Sequence, residues 1–212
     1  AVEDAEYSYT MVAEDVDEGD ELTFSAQTLP DWLEFNGTTA TISGTAFNEH
    51  VGTYAVVLAV SDGFVTVNQE FTITVENTND LPEFTSTPLT SAIQDVDYSY
   101  QATFVDIDVG DTLSISGEYP DWLTLVDNGD GNAGLNGTPT NDDVGDHAVV
   151  LTVYDGTVTA IQEFTINVEN INDSPEFTSD PVESVLEDEE YGYVITVADL
   201  DEDDVPTITG EY

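Results

Sequence analysis

Acidic side chains recur in this sequence at fixed spacings. Asp15-x-Asp17 returns as Asp106-x-Asp108 and again as Asp199-x-Asp201, and the string Asn77-x-Asn79-Asp80 returns as Asn170-x-Asn172-Asp173. Carboxylates and carbonyl oxygens are the ligands that suit hard divalent cations such as calcium and magnesium. No carboxylate can find a Lys or Arg partner within the chain. The 212 residues hold 46 Asp and Glu, no Lys, no Arg and two His, a formal net charge of −46. The charge must be met by solvent, salt or bound cations. Nucleic acid is excluded as a partner of the bare chain, because phosphate recognition rests on Lys and Arg, and an anionic membrane surface is disfavoured for the same reason. The inventory for catalysis is equally thin. Cysteine is absent, which removes disulfides, thiolate metal sites and a thiol nucleophile together. There is no lysine nucleophile and no His paired with a Ser in a hydrolase-like context, and Asp pairs are too abundant to single out an acid–base couple. No enzyme active site is expected.

What positions these acids is a repeat. The segment FTITVENTNDLPEFTS, Phe71 to Ser86, recurs as FTINVENINDSPEFTS, Phe164 to Ser179. Pro-Asp-Trp-Leu at Pro30 recurs at Pro120, Ala-Val-Val-Leu at Ala55 recurs at Ala148, and Tyr7/Tyr9 return as Tyr98/Tyr100 and Tyr191/Tyr193. The register divides the chain into a module at 1–80 that lacks its opening strand, a complete module at 81–173, and the first part of a third at 174–212. The third piece carries opening strands only and cannot close a sandwich by itself. The simplest reading is a window cut from a longer array; the alternative is that the last piece borrows strands from a neighbouring chain. Export signals, if any, are expected outside the window.

Within each module the period is two: Phe71, Ile73 and Val75 alternate with Thr72, Thr74 and Glu76, and Phe164, Ile166 and Val168 repeat the pattern. Such alternation predicts half-buried strands with the apolar set inward. Asn36-Gly37, Asp62-Gly63, Asn128-Gly129, Asn136-Gly137 and Asp155-Gly156 punctuate short runs, as in an antiparallel sandwich. The chain is 40% hydrophobic, with ten Tyr, nine Phe and two Trp, enough to build cores despite its charge. No run of ten residues shows a helical period, and none approaches the 18 or so apolar residues of a membrane span. The fold class expected is all-β, a linear array of antiparallel β-sandwich modules.

At the module junctions, Asn77-x-Asn79-Asp80-x-Pro82-x-Phe84 and Asn170-x-Asn172-Asp173-x-Pro175-x-Phe177 resemble the D-x-N-D-N-x-P-x-F linker of cadherins, and Asp106-x-Asp108 with Gly110 and Asp199-x-Asp201 resemble the cadherin D-x-D motif. The body, with Pro-Asp-Trp-Leu, the Gly44-Thr45 and Gly137-Thr138-Pro139 turns and the closing Val60-x-Asp62-Gly63 and Val153-x-Asp155-Gly156, is similar to bacterial dystroglycan-type, Ig-like cadherin modules. Two departures stand out. The linker lacks the Asn between Asp80 and Pro82, and the cadherin D-R-E stretch is replaced by Asn48-Glu49 and Asn141-Asp142-Asp143.

The resemblance implies calcium at the junctions. Calcium takes six to eight oxygens, more than one short loop usually supplies. The residues it nominates at the first junction are Glu3 or Asp4, Glu49, Asn77, Asn79, Asp80, Asp106 and Asp108. At the second they are Asp95 or Asp97, Asp142, Asp143, Asn170, Asn172, Asp173, Asp199 and Asp201. Asn and Asp also favour turns for local reasons; the register of linker, D-x-D and body motifs decides for the metal. The function implied is a calcium-rigidified extender of a large secreted or cell-surface bacterial protein of adhesin or filament type. Its partners would be neighbouring repeats, with like chains in a filament or surface glycans as further candidates. The alternative is a glycan-binding or homophilic binding module, which would show an exposed aromatic cluster.

Other features carry less. Asp127-Asn128-Gly129-Asp130-Gly131-Asn132 reads as a Gly-rich hairpin before it reads as an ion loop. Trp32 and Trp122 occupy one fixed place in the repeat and are expected in the core. Asn36-Gly37-Thr38 and Asn136-Gly137-Thr138 match a glycosylation sequon, but Asn-Gly turns account for both. His50 and His147 fall at inequivalent repeat positions, so no shared role is expected of them.

Overall fold

The computed structural model describes residues 1–17, 19–108, 110–201 and 204–210. The chain divides into two compact units, Ala1–Asp80 with Ile107–Asp111 and Leu81–Asp106 with Thr112–Tyr212. No α-helix is present among the described residues.

The first unit contains β1 (Glu6–Thr10), β2 (Thr23–Thr28), β3 (Glu34–Asn36), β4 (Thr41–Thr45), β5 (Gly52–Ser61) and β6 (Thr66–Val75). They form two antiparallel sheets, ordered β1-β4-β3 and β2-β5-β6. Each sheet turns its alternate apolar residues to the other. Met11, Trp32, Leu33, Ile42 and Ala46 meet Val56, Leu58, Ile73 and Val75, with Tyr7, Tyr9, Phe24 and Phe71 packed at the margin. At the start of the chain Val2 makes a single parallel bridge to Glu76.

The second unit repeats this plan and adds to it. The opening segment runs as β7 (Glu83–Phe84) and β8 (Ser91–Ile93), followed by β9 (Tyr98–Val105), β10 (Ser114–Glu118), β11 (Leu123–Gly129), β12 (Asn132–Gly137), β13 (Gly145–Tyr154) and β14 (Thr159–Glu169). β7 lies antiparallel on β9 in one sheet, whereas β8 runs parallel to β14 in the other, so the opening segment crosses between sheets. Pro88, which has no amide hydrogen to offer a ladder, stands between the two strands. Phe84 of β7 packs with Phe104, Ala133 and Val153 at one end of the core. Among the described residues of the first unit, β8 has a counterpart only in the Val2 bridge and β7 has none.

Among the described residues beyond β14, β15 (Glu176–Phe177) pairs with β16 (Val197–Ala198). With no second sheet to cover it, Phe177 is 73% exposed, although its segment Pro-Glu-Phe-Thr-Ser is identical to that around the packed Phe84.

A close approach recurs in both sandwiches. A Cβ on Gly44 would lie 1.9 Å from the Trp32 carbonyl oxygen, and one on Gly137 would lie 2.0 Å from that of Trp122. Glycine at this place lets the Trp-Leu segment lie flat on the strand beside it. Gly137→Ala is therefore expected to cost roughly 1–3 kcal/mol or more by overpacking, read as a lowered urea midpoint for the second unit with an unchanged slope. An unaltered midpoint would mean that the backbone opens without cost.

Asp127 to Asn132 forms the β11–β12 hairpin, its turn closed by bonds from the Gly129 amide to Asp127 Oδ1 (2.9 Å) and from Asn132 Nδ2 to the Gly129 carbonyl (3.0 Å). Asn36 holds its own turn, its Oδ1 accepting from the amides of Thr38 and Thr39.

Candidate metal centre

In the first unit the acidic group is built around Glu3. The segment before β1 is pinned by two backbone bonds, Glu3 N–H to the Glu76 carbonyl (3.0 Å) and Asp4 N–H to the Ala46 carbonyl (2.9 Å). Asp4 takes a left-handed conformation (φ 57°), which Asp and Asn tolerate better than most residues. The turn leaves Asp4 exposed and buries its neighbour: Glu3 is only 3% exposed. Glu3 Oε2 accepts from the Thr78 amide at 3.1 Å. The Asp80 amide donates to Asp108 Oδ2 at 2.7 Å. Asn48, in the short 3-10 turn Asn48–His50, donates its Nδ2 to both Asp80 Oδ2 and Asp108 Oδ1, each at 3.2 Å. Carboxylate oxygens of Glu3, Asp80 and Asp108 come within 4.8 Å of one another.

Three like charges so close, two of them on residues more than nine-tenths buried, repel in a medium where water screens poorly. Two oxygens on opposite sides of a calcium ion are about 4.8 Å apart at the usual ligand distance, so the spacing fits a shared cation. Glu49, Asn77 and Asn79 are exposed, with Asn79 Nδ2 bonded to the Asp80 carbonyl. Asp106 is half-buried just after β9 and belongs to the second unit.

The second unit repeats part of this arrangement. The Asp173 amide donates to Asp201 Oδ2 at 2.7 Å, and Asp199, Asp201 and Asp204 bring carboxylate oxygens within 4.8 Å of one another. Asp201 is 6% exposed, and its buried Oδ1 has no hydrogen-bond partner among the described residues. A buried carboxylate oxygen without a donor is costly unless a cation meets it. It borders an open cleft of about 470 Å³ lined also by Asn141, Asp142, Asn170 and Asp204, room enough for an ion with its remaining water ligands.

Four other nominated residues serve different ends. Asp143 Oδ2 accepts from the Thr140 amide and hydroxyl, both at 2.8 Å, closing its own turn. Asp97 Oδ1 accepts from the Thr138 hydroxyl at 2.6 Å. Asp95 is the left-handed counterpart of Asp4 (φ 58°) and is exposed. Asn172 is exposed and bonds the Asp173 carbonyl.

Some members of these groups escaped the sequence reading. Asp204 stands five residues after Asp199, as Asp20 does after Asp15 and Asp111 after Asp106, a spacing visible in the repeat. Asp15, Asp20 and Asp62 form another close acidic group in the first unit, largely exposed. There the Val65 and Phe64 amides bonded to Asp62 hold its carboxyl below the usual range. Gln94 is the counterpart of Glu3 and lies 99% buried at the second group, its Nε2 donating to Asp173 Oδ2 at 3.0 Å.

The fold finds a setting among known proteins. Extracellular cadherin domains 3–6 of protocadherin gamma B2 superpose with a TM-score of 0.62 at 15% identity, over 84% of this chain and 47% of that one. The EC1–4 structure of PcdhgB3 gives a TM-score of 0.60 at 15% identity, over 81% and 47%. Sequence identity is higher, 29%, to an endo-fucoidan hydrolase of glycoside hydrolase family 107, but there the TM-score is 0.40 and the chain covers only 27% of that structure. The chain thus spans less than half the length of each of these structures. No curated protein matches it. The family model described as "Putative Ig domain" matches twice in succession, over residues 1–76 and 81–169, which is more than half of the chain. With two copies of that model and the cadherin-like sandwich around each core, the chain belongs to this family of Ig-like, cadherin-like repeat modules.

Proposed function

We propose that the chain is a run of calcium-stiffened spacer modules of a secreted or cell-surface protein, and that it is not an enzyme. The observation that carries this reading is the burial of carboxylates without a base to meet them. Glu3, Asp108 and Asp201 are each less than a tenth exposed, in a chain with no Lys or Arg. A fold that collects such groups twice, at the same place in its repeat, is suited to a hard divalent cation. Glu3, Asp80 and Asp108 would hold one ion, and Asp173, Asp199, Asp201 and Asp204 another. Calcium bound there would supply the positive charge that the sequence omits and tie each linker strand to the D-x-D loop after it.

The extender role comes from the family likeness and from the tandem repeat. Repetition of one module, with its tryptophan packed against its own core, favours a spacer over a ligand-binding domain. Small-angle scattering of the chain in chelator and in millimolar calcium, at matched ionic strength, tests it. The maximum dimension is expected to rise and the flexibility of the scattering profile to fall as calcium is added. Identical profiles, with calcium binding established by calorimetry, would remove the extender role while leaving the metal sites.

A further inference from the structure

The two acidic groups are alike in backbone and differ at one buried side chain. Glu3 and Gln94 occupy the same place before the left-handed turns at Asp4 and Asp95, and both are almost completely buried. Each accepts from a linker amide: Thr78 N–H to Glu3 Oε2 at 3.1 Å, Ile171 N–H to Gln94 Oε1 at 3.2 Å. With one oxygen of each committed alike, the contrast falls on the other atom. In Glu3 it is a second carboxylate oxygen, on a residue that belongs to the cluster with Asp80 and Asp108. In Gln94 it is an amide nitrogen, which donates to Asp173 Oδ2 at 3.0 Å.

The exchange changes the chemistry twice. It removes one of the negative charges that would hold a cation. It also places a hydrogen-bond donor on the linker Asp, so that Asp173 is partly satisfied before any ion arrives. In the first group that donor is Asn48, which divides itself between Asp80 and Asp108; its counterpart Asn141 bonds the Leu200 carbonyl instead. The surrounding acids match in register. Asp106 and Asp111 correspond to Asp199 and Asp204, and Glu49 corresponds to Asp142. The third copy of the segment has Glu187 at this position, so the neutral residue is particular to the second.

Resting on the calcium reading above, we infer that Glu3 and Gln94 set different affinities at the two sites, so that the first fills at lower calcium than the second. Affinity at oxygen sites follows the number of charged ligands, and the difference expected is about tenfold or more.

The Thr78 and Ile171 amides report separately on the two sites, because each donates to the side chain in question. A calcium titration of the ¹⁵N-labelled chain followed by their NMR shifts is expected to give a lower midpoint for Thr78 than for Ile171. Glu3→Gln should raise the Thr78 midpoint toward that of Ile171, and Gln94→Glu should lower the Ile171 midpoint. Both changes are isosteric, and circular dichroism checks that each variant keeps its sheets. Equal midpoints in the wild type, or midpoints that neither exchange moves, would overturn the inference while leaving calcium binding intact. An absence of calcium heat in calorimetry, with no shift at either amide, would instead overturn the calcium reading itself and the inference with it.

Discussion

Trp32→Ala is expected to unfold the first unit at a denaturant concentration well below that of the wild type, with a loss of about 3–5 kcal/mol. The indole is 7% exposed and meets three rings: the edges of Tyr7 and Tyr54, with centroids 6.1 and 6.2 Å away, and His50 at 6.5 Å. Its truncation removes the largest side chain from a core cluster with eight other buried residues among the described ones. A loss of that size is a large share of the 5–15 kcal/mol that keeps an ordinary domain folded. Trp32→Phe should be milder on two counts. It keeps much of the apolar volume, and it removes an indole N–H that is buried without a hydrogen-bond partner among the described residues. The same pair of variants decides between spacer and binding module. If Trp32→Ala kept the wild-type midpoint and lost affinity for a surface glycan, the residue would be a sugar platform and the core assignment would fail.

The legibility of this fold was uneven, for physical reasons that particular residues show. Alternation exposed the strands directly: Ile73 and Val75 are buried and Thr72, Thr74 and Glu76 face solvent, because a strand turns successive side chains to opposite faces. Of the acids that the Asp-x-Asp and linker motifs nominate, Asp80, Asp108 and Asp201 stand in close acidic groups, and Asp173 bonds Asp201 through its amide. The choice between Glu3 and Asp4 could not be read from residue type, since both are acids and adjacent. A left-handed turn tells the two apart, turning one inward and its neighbour out.

Gln94 carries no charge, so residue type alone gives it no place among metal ligands, yet it is the buried residue that distinguishes the second acidic group from the first. The histidines show the opposite failing. His50 and His147 are inequivalent in register, yet both lie beside the tryptophan of their own sandwich, at 6.5 and 5.9 Å. His147 takes the place that Tyr54 holds in the first unit, while His50 reaches Trp32 from the 3-10 turn. Register compares positions along the chain, and different positions can face one core residue.

Calcium is expected to raise the melting temperature of the wild-type chain strongly, and removing one carboxylate should reverse sign with the metal. By mass action, an ion that binds only the folded state adds about 2.7 kcal/mol per independent site at a hundredfold excess over its dissociation constant. Extracellular calcium modules typically have constants on the order of 10⁻⁴ to 10⁻³ M, so saturation needs millimolar calcium or more. In chelator the cluster of Glu3, Asp80 and Asp108 is a liability, since like charges lie within 4.8 Å and the chain has no Lys or Arg to offset them. Asp108→Asn relieves part of that repulsion. It also keeps an oxygen to accept from the Asp80 amide, the bond that ties the linker to this loop at 2.7 Å. The variant should therefore melt above the wild type in chelator and below it in saturating calcium, and the two melting curves should cross at an intermediate concentration. Ionic strength must be held constant throughout, because a chain of net charge −46 gains from simple screening as well. A merely structural Asp108 predicts a different pattern, in which the variant is destabilised by the same amount with and without calcium. A wild-type melting temperature that does not move between chelator and millimolar calcium would leave the buried carboxylates without a cation and remove the basis of the spacer mechanism.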